Sequence, residues 1–153
     1  MPQKLPLKTF RSIYSQVPRL CVDLVVLNNQ HEVLLTFRSI PPKNLWHLPG
    51  GTVLFGETPT ATIQRVALEE LGQKVIIQKL LGIINYNPRD YQKITGIGHP
   101  ISLAYKVKLT SKKIILDKQA TQFKFFTKLP TQIFREQKQF LLKTFYPQRV
   151  INN

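Results

Sequence analysis

Gly50-Gly51-Thr52-Val53-Leu54-Phe55-Gly56-Glu57-Thr58-Pro59, followed by a run through Arg65 and Glu69-Glu70 to Leu71-Gly72, decides how this chain is read. Gly51 to Glu57 is turn-rich. Thr58 can cap a helix with its hydroxyl, and Pro59 suits the first helical position, where its missing N–H is not needed. The spacing predicts a helix from there to Leu71, stopped by Gly72 as a left-handed cap. The unit therefore reads as a loop and helix over residues 50–73.

Acidic residues are scarce, with 8 Asp and Glu against 22 Lys and Arg. Three of the acids, Glu57, Glu69 and Glu70, nevertheless fall in this one unit. Arg65 and Glu69 are four apart and hence neighbours on a helix face. Glu70 lies about 100° round the helix from Glu69, so both carboxylates can present oxygen to a common edge. Adjacent acids repel unless a cation compensates them, and hard oxygen ligands suit Mg²⁺ or Mn²⁺. Glycines at 50 and 51 let the backbone come close enough for a carbonyl to act as another ligand.

The order Gly51, five residues, Glu57, seven residues, Arg65, then Glu69-Glu70-Leu71-Gly72 resembles the Nudix box. That family pattern reads G, five residues, E, seven residues, R-E-U-x-E-E-x-G-U, with U a bulky apolar residue. The resemblance implies a Nudix-type α/β/α sandwich with a mixed sheet and a magnesium-dependent hydrolase of nucleoside-diphosphate derivatives. It further implies that the Gly50 carbonyl, Glu69 and Glu70 ligate the metal, that Arg65 orients the glutamates, and that Glu57 braces the loop–helix junction. Two positions depart from the pattern. Val66 stands where the family has a glutamate, on the side expected to face the metal, and Gln73 replaces the final apolar residue.

Several segments also resemble the GDP-mannose mannosyl hydrolase branch, among them Val22-Asp23-Leu24, Leu34 to Arg38, the Trp46 to Gly51 approach and Asp117-Lys118-Gln119. By that resemblance Asp23 and Arg38 would contact the nucleotide or its phosphates, and Gln119 would add a neutral metal ligand. A guanidinium fork matches phosphate oxygens, which favours Arg38 on physical grounds as well. The branch places a histidine base directly after the glutamine. Here that position is Ala120, which cannot accept a proton, and a second histidine expected near Tyr86 is also missing. Of the remaining histidines, His99 can reach the site as base or phosphate donor, His47 is expected to pack or face solvent, and His31 sits in a turn. Tyr86, Tyr91 and Asp90 fall in or near a loop that can cover a nucleotide, with the rings available for base stacking.

Outward from this centre the chain reads as one domain over residues 1–153. A helix is predicted over 5–17, with Leu7, Phe10, Ile13 and Tyr14 on one side, stopped by Pro18. Strands are predicted over 21–27 and 32–38 around an Asn28-Asn29-Gln30-His31 hairpin turn, then over 75–86, 101–109 and 123–126. An amphipathic helix over 131–145 closes the chain.

Composition limits the alternatives. At 42% hydrophobic and 20% charged the chain is too apolar for a disordered one. No apolar run approaches the roughly 20 residues that span a bilayer, and Met1-Pro2-Gln3-Lys4 does not open a secretory signal. Cys21 is the sole cysteine, which removes internal disulfides and cysteine-based zinc sites. A cytoplasmic enzyme is expected. The net charge of +14 favours polyanions, whether a small phosphorylated substrate or nucleic acid. Three functional expectations follow: cleavage of a nucleotide sugar or related nucleotide, trimming of RNA 5′ ends, or a weakly catalytic nucleotide- or RNA-binding module. A homodimer in which the N-terminal helix takes part is the expected assembly.

Overall fold

The computed structural model describes residues 2–95 and 97–147. It opens with α1 (Leu7–Tyr14), followed by β1 (Pro18–Val26), β2 (Val33–Arg38), β3 (Trp46–His47) and β4 (Gly50–Thr52). Next come α2 (Pro59–Leu71), β5 (Val75–Asn85), α3 (Pro88–Thr95), β6 (His99–Leu109), β7 (Ala120–Phe126) and α4 (Arg135–Phe145). One sheet has the order β4-β1-β6-β5, with β1 and β6 parallel and the other pairs antiparallel. A second, antiparallel sheet has the order β3-β2-β7. Helix α2 packs on β1, β4 and β5, and α4 packs on β5. This is the α/β/α sandwich with a mixed sheet that the sequence predicts.

Strand β1 is central and is buried on both faces from Cys21 to Val26, which is why it reads as an apolar run interrupted only by Asp23. Val22, Leu24 and Val26 pack toward Ile63, Val66, Ala67 and Leu71 of α2. Val25 joins the other cluster, with Leu35, Leu48, Ile84, Ala104 and Leu141. Asp23 shares the Val25 face, so a carboxylate is carried into the interior on an otherwise apolar strand.

Helix α2 forms as its sequence dictates. Thr58 Oγ1 accepts from the Ala61 N–H at 3.1 Å, Pro59 opens the first turn, and Gly72 ends the helix at φ +68°. Its buried positions include Ile63, Val66, Ala67, Glu70 and Leu71, one stripe at helical spacing. Glu70 therefore belongs to the core-facing stripe rather than to the solvent side.

Several boundaries differ from the sequence reading. Helix α1 is shorter than 5–17, because Pro6 is its N-cap and the helical backbone ends at Ser15. Strands β1 and β6 each start earlier, since Pro18 pairs with His99 and extends the parallel ladder. A proline at the first position of a strand leaves the rest of the ladder intact. Strand β7 starts at Ala120, which pairs with Arg38 across a bulge. Helix α4 starts at Arg135 because Ile133 bridges to Trp46. The Asn28 turn links the two sheets through a single Leu27–Val33 bridge instead of closing a full hairpin. Helix α3 occupies the stretch read as a covering loop. Its signals are local: Asn87 Oδ1 accepts from the N–H groups of Arg89 and Asp90, and Pro88 is the first helical residue.

Candidate active site

A cleft of about 620 Å³ opens beside the start of α2 and is lined by α1, β1, β4, the loop to α2 and one side of α2. Its foundation is the Glu57–Arg65 pair. Arg65 Nε and Nη2 donate to the two Glu57 oxygens at 2.7 and 2.9 Å, a bidentate geometry. Glu57 also accepts from the Leu54 N–H at 3.1 Å and the Thr62 hydroxyl at 2.8 Å. The Arg65 guanidinium holds the Glu57 carboxyl down at about 2. Arg65 Nη2 reaches the Thr52 carbonyl at 2.8 Å, and Nη1 reaches Glu69 at 3.3 Å. One guanidinium thus ties the loop, β4 and the helix together. Glu69 takes a second cation, Lys4, at 2.9 Å.

Glu70 is in the opposite electrostatic state. It is 8% exposed, and burial pushes its carboxyl up to about 8. Asp117 and Asp23 push the same way, while the Gly50 amide and Arg38 oppose them. Asp23 is 6% exposed, and burial raises it to about 6 against the Ser102 and Tyr86 hydroxyls and Arg19. Gly50 pairs with Asp23 across β4 and β1. A Cβ at Gly50 would lie 2.6 Å from the Val22 carbonyl and would overlap the Asp23 carboxylate. Only glycine fits here.

Behind Asp23 a buried chain of hydrogen bonds crosses the molecule. The Leu48 N–H donates to Gln137 Oε1 at 2.9 Å, Gln137 Nε2 donates to the Tyr86 hydroxyl at 2.8 Å, and Tyr86 donates to Asp23 Oδ2 at 2.9 Å. Gln137 comes from α4, so the closing helix positions a cleft carboxylate on the face of the sheet that it covers.

The structure gathers Asp23, Arg38, Gly50, Arg65, Glu69, Glu70, Tyr86 and Gln119 around this cleft. Two of the sequence candidates, His99 and Tyr86, are engaged elsewhere. His99 does not line the cleft, and its Nε2 pairs with Asn85 Oδ1 at 2.9 Å. Tyr86 is 5% exposed with its hydroxyl committed to Asp23, so it serves as a support for that carboxylate and not as a stacking surface. Val66 is 1% exposed and packs beneath Gly51, where a Cβ would lie 3.0 Å from it, and it lines the cleft with Glu69 and Glu70, on the side the sequence reading expects. Arg38 lines the cleft, but its Nε and Nη2 donate to the carbonyls of Pro42 and Pro41 at 3.1 and 2.8 Å. His47 pairs with Thr36 at 3.1 Å, and burial holds it neutral, down at about 3. Asp90 pairs with Arg135. Burial raises the Cys21 thiol to about 11, which disfavours its thiolate at neutral pH.

Sequence reasoning missed Arg19, Gln137 and the electrostatic part of Asp117. Arg19 follows Pro18 in a segment read as a helix end, and Gln137 lies on a distant helix. No local pattern marks either one.

Among the described residues, no group of three or more His, Cys, Asp and Glu side chains forms a metal cage. The donor set at the cleft is a pair of neighbouring carboxylates beside the backbone of Gly50, whose amide reaches Glu70. Glu70, buried beside two other acids, is the group whose charged form most needs a cation. Few protein oxygens and space for water and phosphate match the habits of Mg²⁺.

Residues 17–142 match the NUDIX domain. The chain is 38% identical over 128 residues to the low-salt glycan biosynthesis protein Agl8 of Haloferax volcanii, covering 80% of each chain. It is 28% identical over 138 residues to an ADP-ribose pyrophosphatase of Methanocaldococcus jannaschii, covering 89% of this chain and 78% of that one. The fold superposes on a MutT NUDIX hydrolase from Burkholderia pseudomallei with a TM-score of 0.69 at 20% identity, covering 84% of this chain and 98% of the other.

Proposed function

The chain belongs to the Nudix family of hydrolases, and from that premise we propose that it cleaves a nucleoside diphosphate joined to a sugar, using Mg²⁺ or Mn²⁺. The observation that carries this reading is the Arg65-braced loop–helix unit, which sets Glu69 and the buried Glu70 at one cleft. The similarity to a glycan biosynthesis protein and to an ADP-ribose pyrophosphatase supports a sugar-bearing nucleotide, since ADP-ribose is itself a nucleoside diphosphate on a sugar.

Glu69, Glu70 and the Gly50 carbonyl would hold the cation, with Gln119 at the same cleft as a neutral donor. When bound, the cation polarises a phosphoryl oxygen and neutralises charge on the departing group. The remaining work falls to the chain. Arg65 keeps Glu69 in place and the loop closed over the helix start. Donors of Arg38 left free by Pro41 and Pro42 meet substrate phosphate. Val66 and Ala120 offer no proton acceptor, and His99 points elsewhere. The proton from attacking water therefore goes to a cleft carboxylate, Asp23, Glu69 or Glu70.

The test is a substrate panel of nucleotide sugars, nucleoside triphosphates, dinucleotides and 5′-triphosphate RNA, with products identified by phosphorus NMR. Divalent-dependent turnover of nucleotide sugars, lost in Glu70→Gln, is expected. Nucleotide binding with no turnover under any divalent ion would instead favour a binding module.

One observation favours a second reading. Lys79 of β5 and Lys106 of β6 stand directly opposite each other, an arrangement that destabilises a sheet unless an anion intervenes. With a net charge of +14, this supports action on RNA 5′ ends. Steep loss of activity with salt and a preference for long RNA over free nucleotide would mark it.

A further inference from the structure

Helix α1 carries a largely apolar stripe, with one arginine in it, that does not enter the core. Leu7, Phe10, Arg11 and Tyr14 recur at i, i+3, i+4 and i+7, the spacing of a single helix face. All four line the cleft, and no residue of α1 is buried. The stripe faces the cavity that holds Glu69 and Glu70.

The aromatic part of this wall is ordered by contacts on both sides. The Phe10 and Tyr14 rings meet edge to face, with centroids 4.7 Å apart at 65°. The Arg19 guanidinium lies 5.5 Å from the Phe10 centroid, and its Nη1 donates to Thr52 Oγ1 at 2.7 Å. Thr52 is the residue whose carbonyl receives Arg65. One arginine thus joins the aromatic wall to the strand that leads into the loop–helix unit. Arg19 Nε is buried without a partner. At the C-terminal end of α1, Gly98 closes against the Tyr14 carbonyl so tightly that no side chain fits there.

The cleft is also larger than a diphosphate requires. Its 620 Å³ falls within the roughly 300–1,000 Å³ of pockets that enclose whole small molecules. Of the two rings expected from sequence to stack on a base, Tyr86 is tied by its hydroxyl to Asp23, and Tyr91 is stacked on Phe134 with centroids 6.0 Å apart at 23°. The wall of α1 supplies the aromatic surface instead.

We infer that Phe10 and Tyr14, braced by Arg19, form the subsite for the heterocyclic base of the nucleoside diphosphate. The inference rests on the nucleotide reading of the cleft and names the part of the substrate that this wall receives. Aromatic faces and a guanidinium plane read the π-surface of a base rather than its edge. The subsite therefore accepts all bases and holds purines more tightly than pyrimidines, in proportion to ring area.

Binding measurements separate this subsite from hydrolysis. Wild-type protein, Phe10→Ala, Phe10→Trp and Phe55→Ala are titrated calorimetrically in Mg²⁺ with α,β-methylene-ADP and with methylenediphosphonate, its base-free counterpart. Phe55, 99% exposed and also lining the cleft, is the rival aromatic. Phe10→Ala should weaken the nucleotide analogue about tenfold and leave methylenediphosphonate unchanged, and Phe10→Trp should restore the difference. The subsite is overturned by a wild type that does not prefer the nucleotide analogue, by equal weakening of both ligands in Phe10→Ala, or by a loss that follows Phe55→Ala alone. Neither ligand needs to be cleaved, so an absence of turnover in the substrate panel would overturn the hydrolytic reading without altering this result.

Discussion

Tyr86 donates a 2.9 Å hydrogen bond to Asp23 across 63 residues of sequence, and Gln137 of α4 in turn donates to Tyr86 at 2.8 Å. The bond joins the end of β5 to the central strand inside the protein, where an unpartnered polar group is costly. It sets the orientation of a carboxylate that lies against Gly50 at the cleft floor.

Tyr86→Phe leaves Asp23 Oδ2 without this donor and Gln137 Nε2 without its acceptor. Urea denaturation should show a loss of about 1–3 kcal/mol. A double-mutant cycle with Gln137→Leu should give a coupling on the order of 1 kcal/mol, because the two side chains share one chain of bonds. Strict additivity would show that the relay is not cooperative.

Glu57 and Arg65 make stability depend on pH with a definite sign. The folded Glu57 carboxyl is held down at about 2, below the roughly 4.3 of a free glutamate. Its contribution is therefore complete above that free value and is lost as pH falls from there toward 2. Glu57→Gln should cost about 2 kcal/mol at pH 7, and the gap from wild type should close as the melts are taken into acid.

Glu70→Gln should separate stability from activity. Burial and two nearby acids oppose the charged form of Glu70, so a neutral amide should raise stability by about 1 kcal/mol without divalent ion, a Tm increase of about 2–4 °C. Turnover should fall by about 100-fold or more. Saturating Mg²⁺ should stabilise wild type and erase the mutant's advantage. A variant that melts lower in EDTA would contradict the strain assigned to Glu70.

Val66→Glu would restore the residue type of the family pattern at a position now 1% exposed and packed in the core. Burying that carboxylate should cost about 2–4 kcal/mol in the absence of metal, seen in thermal melts. Unchanged stability would mean that the new carboxylate reaches the cleft that Val66 already lines.

Gly50→Ala should lower stability by about 2 kcal/mol or more, since the added carbon meets the Val22 carbonyl at 2.6 Å and overlaps the Asp23 carboxylate. Pairing it with Asp23→Ala, which removes one of the two obstacles, should recover part of the loss in the same denaturation assay.

The sequence by itself determined what depends on neighbours along the chain. Thr58, Pro59 and Gly72 set the ends of α2 through local backbone chemistry, and the spacing of Glu57, Arg65, Glu69 and Glu70 placed three acids and an arginine on one turn-and-helix unit. Strand β1 was visible as an apolar run because both of its faces are buried. Signals for α3 were also present in Asn87 and Pro88, but they compete with the turn propensity of the same residues. Tertiary structure alone decided which of the candidate side chains face the cleft. The Tyr86 hydroxyl went to Asp23 because a distant glutamine and a buried carboxylate claimed it, His99 turned to Asn85, and α1 turned its largely apolar stripe to the cavity. Those outcomes rest on contacts between strands and helices far apart in the chain, whose energies no local pattern of residues encodes.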